Sequence, residues 1–147
     1  MKPSINCINL IKESEGLRLT SYLCPANKWT IGYGTTGADI KKGMTWTKEQ
    51  AEARFALDLD KFARKVEAML TTPTKQGQFD ALVSFAYNLG LGALQSSTLL
   101  RLHNEGKYTV ASLQFIRWNK AKVKGFLTEL PGLTKRRKAE TALYVGN

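Results

Sequence analysis

The chain has 147 residues, of which 43% are hydrophobic, and this is ordinary composition for about one globular domain. Its 22 lysines and arginines against 12 acidic residues give a net charge of +10, which favours anionic partners such as nucleic acid, lipid or cell-envelope polymers. A single histidine and two cysteines argue against a zinc cluster and a disulfide framework, and no metal or cofactor is expected.

Residues 3–15 predict a helix, with isoleucines at helical spacing and Gly16 as its stop. Glu15 continues the apolar row at the C-terminal end of this helix. Burial and the negative end of the helix dipole both disfavour the charged form of a carboxylate there, as a general acid requires. A solvated glutamate in the last turn is the alternative. The segment lacks the apolar run of a signal peptide, so the chain is expected to begin in the cytoplasm.

Strand-forming aromatic residues alternate with glycines over residues 17–46, which predicts a small antiparallel β-structure. Thr47 and Gln50 then form a capping box before a long apolar repeat, which predicts a helix of about 24 residues. Shorter helices are expected around residues 79–89, 97–104 and 108–118, and a last one is expected after Pro131.

The predicted architecture is therefore α+β and mostly helical, in a single domain over residues 1–147. A β lobe of about residues 16–46 is joined by a linking helix, about 47–70, to a helical lobe. That lobe comprises about residues 71–147 together with the N-terminal helix. A cleft between two lobes is a common place for a ligand.

Three residues with reactive or polar side chains occur at a distinctive spacing. Eight residues separate Glu15 from Cys24, and five separate Cys24 from Thr30. This spacing resembles the phage-type lysozymes, or endolysins (glycoside hydrolase family 24), whose pattern is Glu–x8–Asp/Cys–x5–Thr. Further blocks resemble the same family in the same order along essentially the whole chain. They are Glu-Gly-Leu-Arg at 15–18, Thr-Ile-Gly-Tyr-Gly at 30–34, Phe-Ala-Tyr-Asn-Leu-Gly at 85–90 and Gly-Leu-x-x-Arg-Arg-x-x-Glu at 132–140.

The resemblance implies a lysozyme-like fold and hydrolysis of the β-1,4 bond between N-acetylmuramic acid and N-acetylglucosamine in peptidoglycan. Glu15 would protonate the glycosidic oxygen, and Cys24 and Thr30 would activate or position water on the opposite side. Cys24 departs from the aspartate form, and a thiol is not charged at neutral pH without assistance. A buried cysteine without a role is its alternative, and the stereochemical outcome stays open.

Four further residues match family positions near the cleft and are expected to bind substrate: Tyr33, Thr36, Tyr87 and Asn88. Aromatic and amide side chains suit sugars, which present apolar ring faces and hydroxyl groups. Core packing at helical spacing explains Tyr87 equally well.

The implied partner is peptidoglycan, cleaved by a monomer that is released from the host cytoplasm at lysis. The seven lysines and arginines from Lys120 onward suit an anionic cell-envelope surface or a solvated helix face. A sharper hypothesis is that the helix at 133–144 perturbs membranes. The competing interpretation is a catalytically weak basic module that binds cell wall or nucleic acid. No nucleic-acid motif supports specific binding of that kind.

Overall fold

In a computed structural model that describes residues 1–146, the chain forms seven α-helices, one 3-10 helix and two separate two-stranded antiparallel sheets. The predicted α+β architecture, mostly helical with a small β lobe, is confirmed. Asn147, the last residue of the predicted domain, lies outside the described residues. The elements are α1 (Ile5–Glu15), β1 (Arg18–Leu23), β2 (Trp29–Gly32), α2 (Lys48–Met69), α3 (Gln76–Leu89), α4 (Leu91–Gln95), α5 (Thr98–Asn104), α6 (Tyr108–Ser112), a 3-10 helix (Phe115–Trp118), β3 (Lys120–Val123), β4 (Phe126–Glu129) and α7 (Pro131–Val145).

Local capping sets the start of the long helix α2. The Thr47 side chain accepts from the backbone N–H of Gln50, and the Gln50 side chain accepts from the backbone N–H of Thr47. This capping box satisfies two N–H groups that the first turn of a helix leaves without partners. The predicted linking helix is therefore confirmed, with 22 residues.

Helix α3 lies at the centre of the helical lobe, because every side chain from Gln78 to Ala86 is buried. It packs against α1, α2 and α7. Asp80 on α3 accepts hydrogen bonds from the backbone N–H and the hydroxyl of Ser4, the residue that caps the start of α1. These bonds fix the first turn of α1 on the core helix.

Two predicted features of the C-terminal third are wrong. The single helix expected over residues 108–118 is divided into α6 and the 3-10 helix. The hairpin of β3 and β4 stands where the sequence was interpreted as a basic helical surface. Lysines alternate with apolar residues there, which is a strand pattern, and the turn residues Lys124 and Gly125 both have positive φ.

Helix α7 was expected to present its basic residues to solvent, and it differs from this expectation. Arg136, Arg137 and Glu140 of α7 are buried, so the helix packs into the lobe through its charged residues. The hypothesis that residues 133–144 form a free amphipathic helix does not suit this packing, because half of the expected basic cluster is turned inward. No helix within residues 1–146 combines the length and the apolar character needed to cross a membrane.

Candidate active site

Glu15 is the last residue of α1 and stands at the boundary between the helical lobe and the β lobe. Gly16 ends the helix at φ +71°, and its N–H donates to the Lys12 carbonyl at 2.9 Å. The Glu15 side chain is 20% exposed, so its carboxyl lies partly in reach of solvent and ligand. The helix thus places one carboxyl group where the two lobes meet.

A buried arginine, absent from the predicted site residues, holds the Glu15 carboxyl. Nη1 of Arg136, on α7, donates to Oε2 of Glu15 at 2.5 Å, and the Arg136 side chain is only 5% exposed. The sequence predicts Glu15 on an apolar row and gives it no partner. The structure corrects this by placing a cation beside it, in the Arg-Arg block that resembled the phage family.

Arg136 is itself held by a buried charged network. Glu140 is fully buried, with Oε1 at 2.7 Å from Nε of Arg137 and Oε2 at 3.5 Å from Nε of Arg136. The Ser84 hydroxyl donates to Glu140 at 2.6 Å, and the Ser84 carbonyl accepts from Arg136 at 3.2 Å. Burial raises the pKa of the Glu140 carboxyl, and the two guanidinium groups oppose this shift. The network fixes the guanidinium that faces Glu15.

The β lobe approaches Glu15 at Gly34. A Cβ atom added to Gly34 would lie 2.5 Å from Oε1 of Glu15, so a larger residue there would displace the carboxyl or the loop. The hydroxyl of Tyr87, on α3, donates to the neighbouring Tyr33 carbonyl at 2.7 Å. This bond ties the loop that carries Gly34 to the helical lobe, and it fixes the loop against the carboxyl.

Cys24 and Thr30 lie together in the β lobe, across the turn that joins β1 to β2. Thr30 is buried, and its hydroxyl donates to the Lys28 carbonyl at 3.0 Å. Partial burial raises the pKa of the Cys24 thiol, but hydrogen bonds from the surrounding backbone, with Lys28 first, outweigh it, so the net pKa is lowered. The sulfur is thus in an environment that favours the thiolate.

Tyr22 is a neighbour of Thr30 in the β lobe. It lies opposite Thr30 in the β1–β2 register. Its pKa is raised by burial first and then by the charge of Glu15, and the Cys24 charge contributes in the same direction. Tyr22 was not among the predicted residues.

The two cysteines are both free and differ sharply in their surroundings. Cys7 is fully buried in α1, and burial, followed by the charge of Asp80, raises its pKa to about 12. Cys24 is only partly buried. Of the two thiols, Cys24 is the reactive one.

The four predicted substrate residues divide into two pairs. Tyr33 is 7% exposed; its ring packs on Phe55 and its hydroxyl donates to Glu52 at 2.8 Å, so the ring offers no face to a sugar. Tyr87 packs on Phe55 and uses its hydroxyl to hold the Tyr33 backbone. Both tyrosines join the lobes. Thr36 is exposed, and Asn88 is half-buried.

A cavity of about 580 Å³ lies between the end of α1 and the start of α7. Its lining includes Glu15, Arg136 and Asn88, together with Leu130 and Leu133. Asn88 accepts from Nη2 of Arg137 at 2.9 Å, which orients its amide. A carboxyl group, an amide and apolar side chains around one cavity suit a sugar ligand, whose faces are apolar and whose edges carry hydroxyl groups. The lining includes no residue of the β lobe, so this cavity brings neither Cys24 nor Thr30 together with Glu15.

A model of the phage lysozyme family matches residues 12–140 of the chain. The chain belongs to the phage lysozyme family. An endolysin of Acyrthosiphon pisum secondary endosymbiont phage 1 is 46% identical over 135 residues, which cover 92% of this chain and 92% of that endolysin. The endolysin of Bacillus phage B103 is 45% identical over 94% of this chain, but the chain spans only 52% of that protein's length.

A solved structure extends the likeness to three dimensions. An endolysin from Escherichia coli O157:H7 phage FAHEc1 has a TM-score of 0.89 at 40% identity, over 99% of this chain and 94% of the other. The resemblance drawn from the Glu15, Cys24 and Thr30 spacing is thus confirmed at the level of family and lysozyme-like fold. This phage lysozyme is a glycoside hydrolase.

Proposed function

We propose that this phage lysozyme hydrolyses the β-1,4 bond between N-acetylmuramic acid and N-acetylglucosamine in peptidoglycan, with Glu15 as the general acid. The observation that carries the proposal is the position of its carboxyl, against Gly34 of the β lobe and in the cavity that Asn88 also lines. The Glu15 proton passes to the glycosidic oxygen as the C–O bond breaks. Positive charge then develops on the sugar ring.

Cys24 and Thr30 act on the water that attacks this ring. The water oxygen bonds to the anomeric carbon, and its proton passes to the Cys24 thiolate. The lowered pKa of Cys24 supports this role, because the thiolate and not the thiol is basic. The Thr30 hydroxyl beside the sulfur orients the water. Thr36 and Asn88 are the polar side chains proposed to contact the glycan, and the enzyme acts as a monomer released from the host cytoplasm at lysis.

The role of Glu15 is tested by the fall in turbidity of a peptidoglycan suspension. Glu15→Gln keeps the shape of the side chain and removes its transferable proton, so lysis should fall by at least about 100-fold. Glu49→Gln is the control, because Glu49 is an exposed glutamate in the first turn of α2 and does not line the cavity at Glu15, and it should lyse at the wild-type rate. Full lysis by Glu15→Gln would overturn the mechanism.

The bond that is cleaved is tested separately, by identifying the sugar at the new reducing ends. Muramic acid at these ends is expected, and glucosamine would overturn the proposed bond. Cys24→Ala should lower the rate and Cys24→Asp should retain it, because a carboxylate accepts a proton without assistance. An undiminished rate in Cys24→Ala would exclude the thiol from the reaction.

A further inference from the structure

The hairpin of β3 and β4 takes no part in the site described above. Its strands pair in the register Lys122 with Leu127 and Val123 with Phe126, and Lys124 and Gly125 form the turn. Both turn residues have positive φ, at +51° and +86°, as expected for a tight two-residue turn. A two-stranded hairpin has little stability by itself, so exposed apolar residues at its tip call for an explanation.

The hairpin tip carries the two most exposed large apolar side chains among residues 1–146. Phe126 is 75% exposed and Leu127 is 71% exposed, and their strand neighbour Val123 is also exposed. Successive strand residues point to opposite faces, so Phe126 and Leu127 lie on different sides of the hairpin. A flat surface can cover only one face of the hairpin and would leave one of these two side chains exposed. Insertion of the tip into an apolar layer buries the side chains on both faces.

The surroundings of this tip are strongly basic. Lys120, Lys122 and Lys124 lie on the hairpin, and Lys135 and Lys138 line a shallow groove between its base and α7. Glu129 is the one acidic residue of the hairpin, and it accepts a hydrogen bond from Asn119. Within the described part of the chain, none of these five lysines forms an ion pair. Their positive charge is therefore available to bind an anionic partner.

We infer that the hairpin docks on an anionic lipid bilayer, with Phe126 and Leu127 in the interfacial layer and the lysines among the headgroups. Large apolar side chains beside lysines are the chemistry of membrane-surface attachment, and each lysine near an anionic surface strengthens binding by about fivefold. The inference does not depend on the proposed hydrolysis, since no residue of the hairpin lines the cavity at Glu15. It assigns the apolar membrane contact to this hairpin, while α7 contributes only its exposed Lys135 and Lys138.

The test is cosedimentation of the full chain with phosphatidylglycerol-containing vesicles and with vesicles of phosphatidylcholine alone. Wild type should bind the anionic vesicles, and binding should weaken as salt is added. Replacing Phe126 and Leu127 together by serine should weaken binding by at least about tenfold. Replacing Val110 and Leu113 by serine is the matched control, because both are exposed apolar residues outside the hairpin, and it should leave binding unchanged.

Hydrolysis of soluble peptidoglycan fragments and the far-UV circular dichroism of each variant establish that it is folded. Both should match wild type in the Phe126 and Leu127 variant, because the hairpin lies outside the catalytic set. Failure of wild type to bind anionic vesicles would overturn the inference, as would undiminished binding by that variant. Unchanged vesicle binding with lost binding to intact cell walls would instead assign the hairpin to the glycan and would also overturn it.

Discussion

Replacing Gly34 by alanine tests how closely the β lobe defines the position of the acid. The added Cβ would lie 2.5 Å from Oε1 of Glu15 and 2.9 Å from its carboxyl carbon. Ordinary contact begins at 3.4 Å, so the carboxyl or the loop must move by about 0.9 Å. The carboxyl cannot retreat freely, because Arg136 holds its other oxygen at 2.5 Å.

This displacement should lower the rate of lysis. Misplacement of a reacting group by about 1 Å lowers an enzymatic rate by about 100-fold, and we expect a loss of that size in peptidoglycan lysis by Gly34→Ala. Gly34 also has φ +74°, where a residue with a side chain is strained by about 1–2 kcal/mol. The variant should therefore also melt at a somewhat lower temperature.

Gly43→Ala separates the two effects. Gly43 has a similar φ of +81°, but an added Cβ there meets nothing within 4 Å. It should lose a similar amount of stability in a thermal melt and keep the wild-type rate in the turbidity assay. Equal losses of rate in both variants would refute the reasoning, as would a folded Gly34→Ala enzyme with full activity.

Three further predictions concern the buried network, the histidine and the thiol. Glu140→Gln leaves the buried Arg137 guanidinium without a carboxylate and leaves Arg136 with Glu15 alone, so the free energy of unfolding should fall by about 3–5 kcal/mol. Exposed Glu105→Gln should leave the thermal midpoint unchanged, and equal midpoints in the two variants would contradict the network. Burial lowers the pKa of His103, which is neutral when folded, so stability should be lost as pH falls through the ordinary histidine value of about 6.5. This loss should be smaller in His103→Gln, and an identical pH dependence of the melting temperature would exclude His103 as its source. If the Cys24 thiolate is the base, the acidic limb of the activity profile should move to lower pH in Cys24→Asp, and an unmoved limb would argue for a role in orientation alone.

Features encoded locally were predictable from the sequence. The start of α2 depends on the capping box of Thr47 and Gln50, and its length follows from apolar residues at helical spacing. Gly16 ends α1 where the pattern places it, because a glycine readily adopts positive φ. Signals of this kind lie within a few residues of the feature that they specify.

Features that depend on distant partners were not predictable. The lysine and arginine cluster after Lys120 resembled one solvated surface, yet Arg136 and Arg137 are buried while the lysines are exposed. Only the carboxylates of Glu15 and Glu140 distinguish these arginines from their neighbours, and Glu15 is 121 residues away. Likewise, the sequence around Tyr33 does not show that Phe55 and Glu52 of α2 contact its ring and its hydroxyl.

The bond between Glu15 and Arg136 joins two residues that are synthesised at very different times. Ribosomes add about 5–20 residues per second, so Arg136 leaves synthesis roughly 6–24 s after Glu15. During that interval the nascent chain carries the carboxyl without the guanidinium that positions it. The carboxyl therefore gains its partner only when α7 docks on α3, and a chain truncated before α7 would retain Glu15, Cys24 and Thr30 without the arginine that holds Glu15.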